Sequence, residues 1–287
     1  RDRNLFFFRK NRFLSLFSCE RVMKGAHMIH LQEIDGRQIA CWVNNGGFRP
    51  DRRTLVFIHG SGGDHTTWIK QYVPLSGAYD IAAIDLPGHG RSEGPGEQEV
   101  NAYGEWVRKI LDGLGIVKPV MVGHSLGAAI CLSLVIRHPG FAAAVVPVGG
   151  GVQMPVNPLI LEGVRQDPAA VIAMAAKFSV AKANRERFGN LIIESLSRVA
   201  PDIIHGDFSA CDLLDIKSAI AGIGIPALVV CGAEDKMTPP SSSEFIRDTL
   251  PGARLALIEG AGHFVMMENP EAFNAALTGF LESLTLH

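Results

Sequence analysis

The chain has 287 residues, 47% of them hydrophobic, which is enough for one large core. Its formal net charge is −2, and no basic stripe runs through its body, which argues against nucleic acid as a partner. The cysteines Cys19, Cys41, Cys131, Cys211 and Cys231 are scattered and form no Cys-x-x-Cys pair. That argues against a zinc site or a disulfide framework and fits a reducing, cytoplasmic setting.

Residues 1–27 stand apart, rich in Arg, Lys and Phe. Their apolar runs at 5–8 and 13–17 are broken by basic residues, too short for a transmembrane helix and without a clear signal-peptide core. No stable membrane insertion is expected. Gly25-Ala26-His27-Met28 looks like a vector-derived junction, so 1–27 reads as a tag or upstream segment with Met28 as the native start. An amphipathic targeting or membrane-surface helix is the alternative.

From Met28 onward the pattern is strand-rich and then alternating. Residues 29–34 and 38–43 flank Asp35-Gly36, a hairpin signal. Residues 54–58 read as a buried strand, 68–75 as a helix and 80–84 as the next strand, which enters the loop Asp85-Leu86-Pro87-Gly88-His89-Gly90. Over 97–114, Val100, Tyr103, Trp106, Val107, Ile110 and Leu114 recur at helical spacing. A strand at 117–122, a helix at 128–137 and a strand at 142–148 follow. From 149 to 212 the alternation stops, and Pro155, Pro158, Pro168 and Pro201 punctuate short amphipathic stretches. This predicts a helical insertion, a cap, between core segments 28–148 and 213–287. Alternation resumes with strands at 227–231 and 254–258 and helices at 242–250 and 271–284. Such a chain predicts an α/β fold with a mostly parallel sheet and helices on both faces, whose ligands bind beyond the carboxyl ends of the strands.

Chemistry-bearing residues fall at those strand ends. Gly123-His124-Ser125-Leu126-Gly127 fits Gly-x-Ser-x-Gly between a strand and a helix. A serine on so sharp a turn is exposed near a helix N-terminus, which favours developing negative charge. His59-Gly60-Ser61-Gly62-Gly63 follows the strand at 54–58; the Ser61 and Leu126 N–H groups together suit a tetrahedral oxyanion, although a glycine-rich loop can simply turn. Gly232-Ala233-Glu234-Asp235-Lys236 offers Asp235, with Glu234 as competitor, to orient a histidine. Gly260-Ala261-Gly262-His263-Phe264 places His263 on a glycine loop after the last strand. In these roles Ser125 is the nucleophile, His263 the general base and then acid, and Asp235 the group that holds the imidazole tautomer.

On these residues and their order, Ser125 then Asp235 then His263, the chain resembles the α/β-hydrolase-fold serine hydrolases, in particular capped carboxylesterases. The resemblance covers 28–287 and is carried by the motifs at 59–63, 85–90, 123–127, 232–235 and 262–263. It implies a mostly parallel eight-stranded sheet with a small helical cap. It also implies a cofactor-free carboxylic ester hydrolase for short- to medium-chain acyl esters, acting through an acyl-serine intermediate. Ser125 argues against the dehalogenases and epoxide hydrolases of this fold, which use aspartate. Carbon–carbon bond hydrolases of the fold are the alternative; they place an arginine near the cap, for which Arg165, Arg185, Arg187 and Arg198 are candidates. A slow-turnover receptor for a small ligand is the other alternative.

For the substrate pocket the candidates are Gly60, Trp68, His124 and Phe264, with Met266 and the cap residues Met154, Leu159, Leu161, Met174 and Phe178. His59, Asp85 and His89 are expected to brace loops, and Asp207 and Asp212, the rivals for a polar pocket residue, to lie at the surface or cap a helix. The histidines lack metal-ligand spacing, and no metal, nucleotide or cofactor is expected. The expected partner is a small-molecule ester, bound by a monomer or homodimer.

Overall fold

The computed structural model describes residues 28–44, 47–49 and 51–284; the expectations for 1–27 lie outside the described residues. Asp35 and Gly36 both take positive φ, 50° and 75°, the twist that a two-residue hairpin turn requires. They join β1 (Met28–Ile34) to β2 (Arg37–Val43) in antiparallel pairing. The chain continues through β3 (Thr54–Ile58), α1 (Ile69–Leu75), β4 (Asp80–Ile84) and α2 (Val100–Leu114). Then come β5 (Val120–His124), α3 (Leu126–Arg137) and β6 (Ala144–Val148).

After β6 lie the helices α4 (Pro158–Gln166), α5 (Pro168–Ser179), α6 (Arg185–Leu196) and α7 (Pro201–Asp212). The core resumes with β7 (Leu228–Gly232), α8 (Pro240–Thr249), β8 (Arg254–Ile258), α9 (Val265–Glu268) and α10 (Pro270–Ser283). Pro158, Pro168 and Pro201 each open a helix, where the missing N–H costs nothing and the fixed φ is already helical. Three of the four prolines that interrupt the sequence pattern therefore mark first turns, while Pro155 lies in the link before α4.

The eight strands form one sheet in the order β1-β2-β4-β3-β5-β6-β7-β8. The β1–β2 and β2–β4 pairs are antiparallel, and the remaining pairs are parallel. Strands β3 to β7 are buried along their whole length, as a sheet covered on both faces demands. Val56, Ile58 and Met121 pack with α2 and α3 on one face, whereas Leu55, Phe57, Val120 and Val122 pack with α1 and α10 on the other. Alternate residues thus feed two separate cores.

Element boundaries differ from the sequence pattern where turn chemistry intervenes. The expected strand at 117–122 begins only at Val120, because Val117 is exposed and Lys118 takes a φ of 47° ahead of Pro119. The expected helix from 97 begins at Val100, after an extended Glu99. Among the described residues no helix is long and apolar enough to cross a membrane.

Candidate active site

Ser125 sits between β5 and α3 with φ 53° and ψ −114°, a conformation that costs an L-residue about 1–3 kcal/mol. It persists because its neighbours are pinned. Ser125 N donates to Val148 O (2.9 Å), and Ser125 O accepts from Ala128 N and Ala129 N (2.9 and 3.1 Å). A Cβ on Gly123 would lie 2.1 Å from Gly127 O, and one on Gly127 would lie 2.4 Å from Ile58 O. Glycine at both positions is what lets α3 start so close to β3 and β5.

The 59–63 loop runs beside this turn, with the Cβ position of Gly60 3.1 Å from Ser125 Cβ. Among the described residues, the Ser61 and Leu126 N–H groups donate to no other protein group. His59 Nε2 accepts from Leu86 N (3.1 Å), so its Nδ1 carries the proton and donates to Gly60 O (2.8 Å). Burial, helped by the nearby His89 charge, pushes the His59 pKa down to about 4, and the ring stays a neutral brace. Asp85 accepts from His65 N and Nδ1 and from Arg91 N, and so orders its own loop.

His263 Nδ1 donates to Asp235 Oδ2 at 2.8 Å, leaving Nε2 as the basic nitrogen. Glu234 is exposed. Asp235 is buried and also accepts from Met237 N, Thr238 N and Thr238 Oγ1 at 2.9–3.0 Å. Burial alone would raise its pKa; the His263 charge and hydrogen bond, with the backbone N–H groups, outweigh burial and hold it below the usual value. The His263 loop is tied to the serine turn, since His124 Nε2 donates to His263 O (3.0 Å) and the two rings lie 4.6 Å apart. Burial, then the His263 charge, keep the His124 pKa well below its ordinary value, so His124 stays neutral.

The pocket candidates divide. Gly60, His124 and Phe264 do gather around Ser125 and His263; the Phe264 ring lies 5.0 Å from His124 and 5.9 Å from His263. Trp68 does not line a pocket. It is fully buried behind His124, packed on Phe57 and Phe273, because its large ring fills the core under β3. Met266 is likewise core. Leu159, Met174 and Phe178 are exposed, with Lys177 over the Phe178 ring. Met154 is buried in the same core cluster as Cys211, whose Sγ lies 3.9 Å from Ser61 Oγ. Of the arginines, Arg165 pairs with Asp202, Arg198 with Glu194, and Arg187 lies over Phe188, the first two on the outer surface of the insertion.

Two carboxylates have roles that sequence reasoning missed. Asp207, expected at the surface, is fully buried and accepts from Gly62 N (2.8 Å). Its signal was present: Ile204, Ala210 and Cys211 put position 207 on the apolar side of α7. Asp212 does lie exposed, accepting from Val156 N. Glu268 accepts from Gly262 N, Ala181 N and Asn184 Nδ2, joining the His263 loop to the insertion.

Residues 55–276 match the alpha/beta hydrolase family. The chain belongs to that family. This alpha/beta hydrolase is 26% identical over 273 residues to 3-oxoadipate enol-lactonase 1 of Acinetobacter baylyi, covering 91% of this chain and 100% of the relative. Among solved structures it resembles a thermophilic esterase (TM-score 0.77, 32% identity, covering 90% of this chain and 98% of that one). It also resembles Est816, described as an N-acyl homoserine lactone degrading enzyme (TM-score 0.78, 25% identity, covering 88% and 100%). The eight-stranded sheet with a helical insertion is therefore the fold of a known hydrolase family, with esterases and lactonases among its neighbours.

Proposed function

We propose that this alpha/beta hydrolase cleaves carboxylic esters through an acyl-enzyme formed on Ser125. The observation that carries the reading is the 2.8 Å bond from His263 Nδ1 to Asp235, on a loop hydrogen-bonded to the strained turn that presents Ser125. Ser125 Oγ attacks the carbonyl carbon while His263 Nε2 takes its proton. The carbonyl oxygen becomes an oxyanion held by the Ser61 and Leu126 N–H groups, which have no competing partner among the described residues. The tetrahedral intermediate collapses, the C–O bond to the alcohol breaks, and His263 returns the proton to that alcohol. Water, deprotonated by His263, then releases the acid. Asp235 fixes the tautomer and stabilises the imidazolium without itself taking a proton.

Gly60, His124, Phe264 and Met154 are assigned to the walls around the acyl group, and 149–212 to a cap over them. Short- to medium-chain esters suit so covered a site. Lactones are internal esters and undergo the same step, which accords with the lactonases among the relatives. For the carbon–carbon alternative, Arg165 and Arg198 are engaged in surface ion pairs, whereas Arg185 buries an Nε with no partner among the described residues and remains its candidate for a substrate carboxylate.

The test is hydrolysis of a p-nitrophenyl ester series from acetate to palmitate by the protein and by Ser125→Ala. Turnover at short chains that vanishes in the folded variant, with a mass increment of one acyl group on Ser125 during turnover, is the expected result. Equal turnover by both proteins would refute it.

A further inference from the structure

Asp207 comes from α7 of the insertion, yet its carboxylate is buried beneath the 59–63 loop. Oδ2 accepts from Gly62 N (2.8 Å) and His89 Nε2 (2.9 Å), and Oδ1 accepts from Tyr103 Oη (2.5 Å). His89 Nδ1 faces Pro87 O at 3.0 Å. With an acceptor on each side, both ring nitrogens carry protons, and the imidazolium neutralises the buried carboxylate. Burial opposes that charge, but Asp207 outweighs it and raises the His89 pKa.

The contact with Gly62 matters because of where that N–H lies. Residues 60–63 form a tight turn, closed by Gly63 N donating to Gly60 O (3.0 Å). Gly62, third in the turn, has φ +64°, the mark of a type II turn. Two peptide planes flank the Ser61 Cα. The first carries Gly60 O and the Ser61 N–H, and it is held by His59 Nδ1 and Gly63 N on Gly60 O. The second carries the Gly62 N–H, which Asp207 holds. Without that acceptor the central peptide of a glycine-containing turn is free to flip toward the type I form.

We infer that Asp207 is a positioning residue for the oxyanion loop: through Gly62 N–H, the last helix of the insertion fixes the Ser61–Gly62 peptide and so holds the form of the turn that carries the Ser61 N–H. The inference rests on the proposed acyl-Ser125 mechanism. Leu196, from α6, also packs against the Cβ position of Gly62, whose φ of +64° disfavours a side chain in any case. The insertion thus contributes to catalysis as a support for the oxyanion loop as well as a cover.

The experiment compares the protein with Asp207→Ala, Asp207→Asn and Tyr103→Phe. Each is assayed for kcat and KM on p-nitrophenyl butyrate and for inhibition by an alkyl trifluoromethyl ketone, whose tetrahedral adduct loads the oxyanion hole directly. Asp207→Ala is expected to lower kcat about 10–100-fold with KM within about 3-fold, and to weaken the ketone by the same factor, as misaimed oxyanion donors do. Asp207→Asn, whose carbonyl can still accept from Gly62 N, should recover most of both. Tyr103→Phe removes the Oδ1 contact while keeping those of Gly62 N and His89 Nε2, and should leave both within about 2-fold. If Asp207→Ala does not fold, Asp207→Ser, too short to reach Gly62 N, carries the same expectation. Unchanged kcat and ketone affinity in a folded Asp207 variant would overturn the inference, as would an equal loss in Tyr103→Phe. Labelling of Ser125 in the unaltered protein by a fluorophosphonate separates the two readings. No labelling sinks the acyl-serine mechanism and this inference with it, whereas labelling with an insensitive Asp207 sinks this inference alone.

Discussion

Replacing Ser125 by glycine and by alanine separates the backbone of the nucleophile turn from its chemistry. Both changes remove Oγ, so both should abolish acylation. They differ in what they do to a residue held at φ 53°, ψ −114°. Alanine keeps the Cβ and the strain, about 1–3 kcal/mol for an L-residue in such a region. Glycine relieves the strain but loses about 0.5–1 kcal/mol more backbone entropy on folding. The difference leaves Ser125→Gly more stable than Ser125→Ala by up to about 2.5 kcal/mol. Urea denaturation followed by tryptophan fluorescence measures this directly, since Trp42, Trp68 and Trp106 all lie in the buried core. A glycine variant less stable than alanine would show that the turn stores less strain than the region implies and refute the reasoning.

Asp235→Asn should leave the fold intact but lower kcat by about 10³–10⁴, because an amide no longer enforces the His263 Nδ1–H tautomer; steady-state kinetics on a short ester checks this. The Asp235 pKa is depressed on folding, so its contribution to stability is present above the unfolded value near 3.8 and fades as pH falls through the lower folded value. The stability gap between Asp235→Asn and the unaltered protein should therefore narrow below about pH 4, seen in urea midpoints against pH. His59 behaves alike with a different window: its pKa falls from 6.5 to about 4 on folding, so it contributes stability above pH 6.5 that is lost progressively toward pH 4. A stability profile flat across that range would contradict the buried neutral ring. Phe264→Ala should shift the acyl-chain preference toward longer esters by about 1–3 kcal/mol in relative kcat/KM, read from a chain-length series.

Much of this architecture was legible because its signals are local. The Asp35-Gly36 turn, the buried strands and the Gly-x-Ser-x-Gly turn each depend on neighbours within a few residues, and each lies where the pattern puts it. Strand beginnings were less legible, since Lys118 adopts positive φ without a glycine to announce it. The pairing of Asp235 with His263 was readable as an order of residues, but the exclusion of Glu234 needed three dimensions, because adjacent loop carboxylates carry the same sequence signal. Pocket walls were the least legible. Trp68 and Phe178 are both large aromatics near the right place in the chain, and only tertiary packing sends one into the core and the other to solvent.

The two glycine-rich loops of the site share a construction that explains how flexible segments hold a fixed geometry. Glycine lets the backbone approach closely at the price of conformational freedom. In both loops that freedom is removed by a buried carboxylate accepting from a glycine N–H: Asp207 from Gly62, and Glu268 from Gly262. A charged acceptor makes a stronger bond than a neutral one, and side-chain geometry fixes one peptide plane where a repeating ladder would fix many. Both carboxylates also connect to the helical insertion, Asp207 by residing on α7 and Glu268 by accepting from Ala181 N. Hydrogen bonds through these two carboxylates thus join the insertion to both the oxyanion loop and the His263 loop.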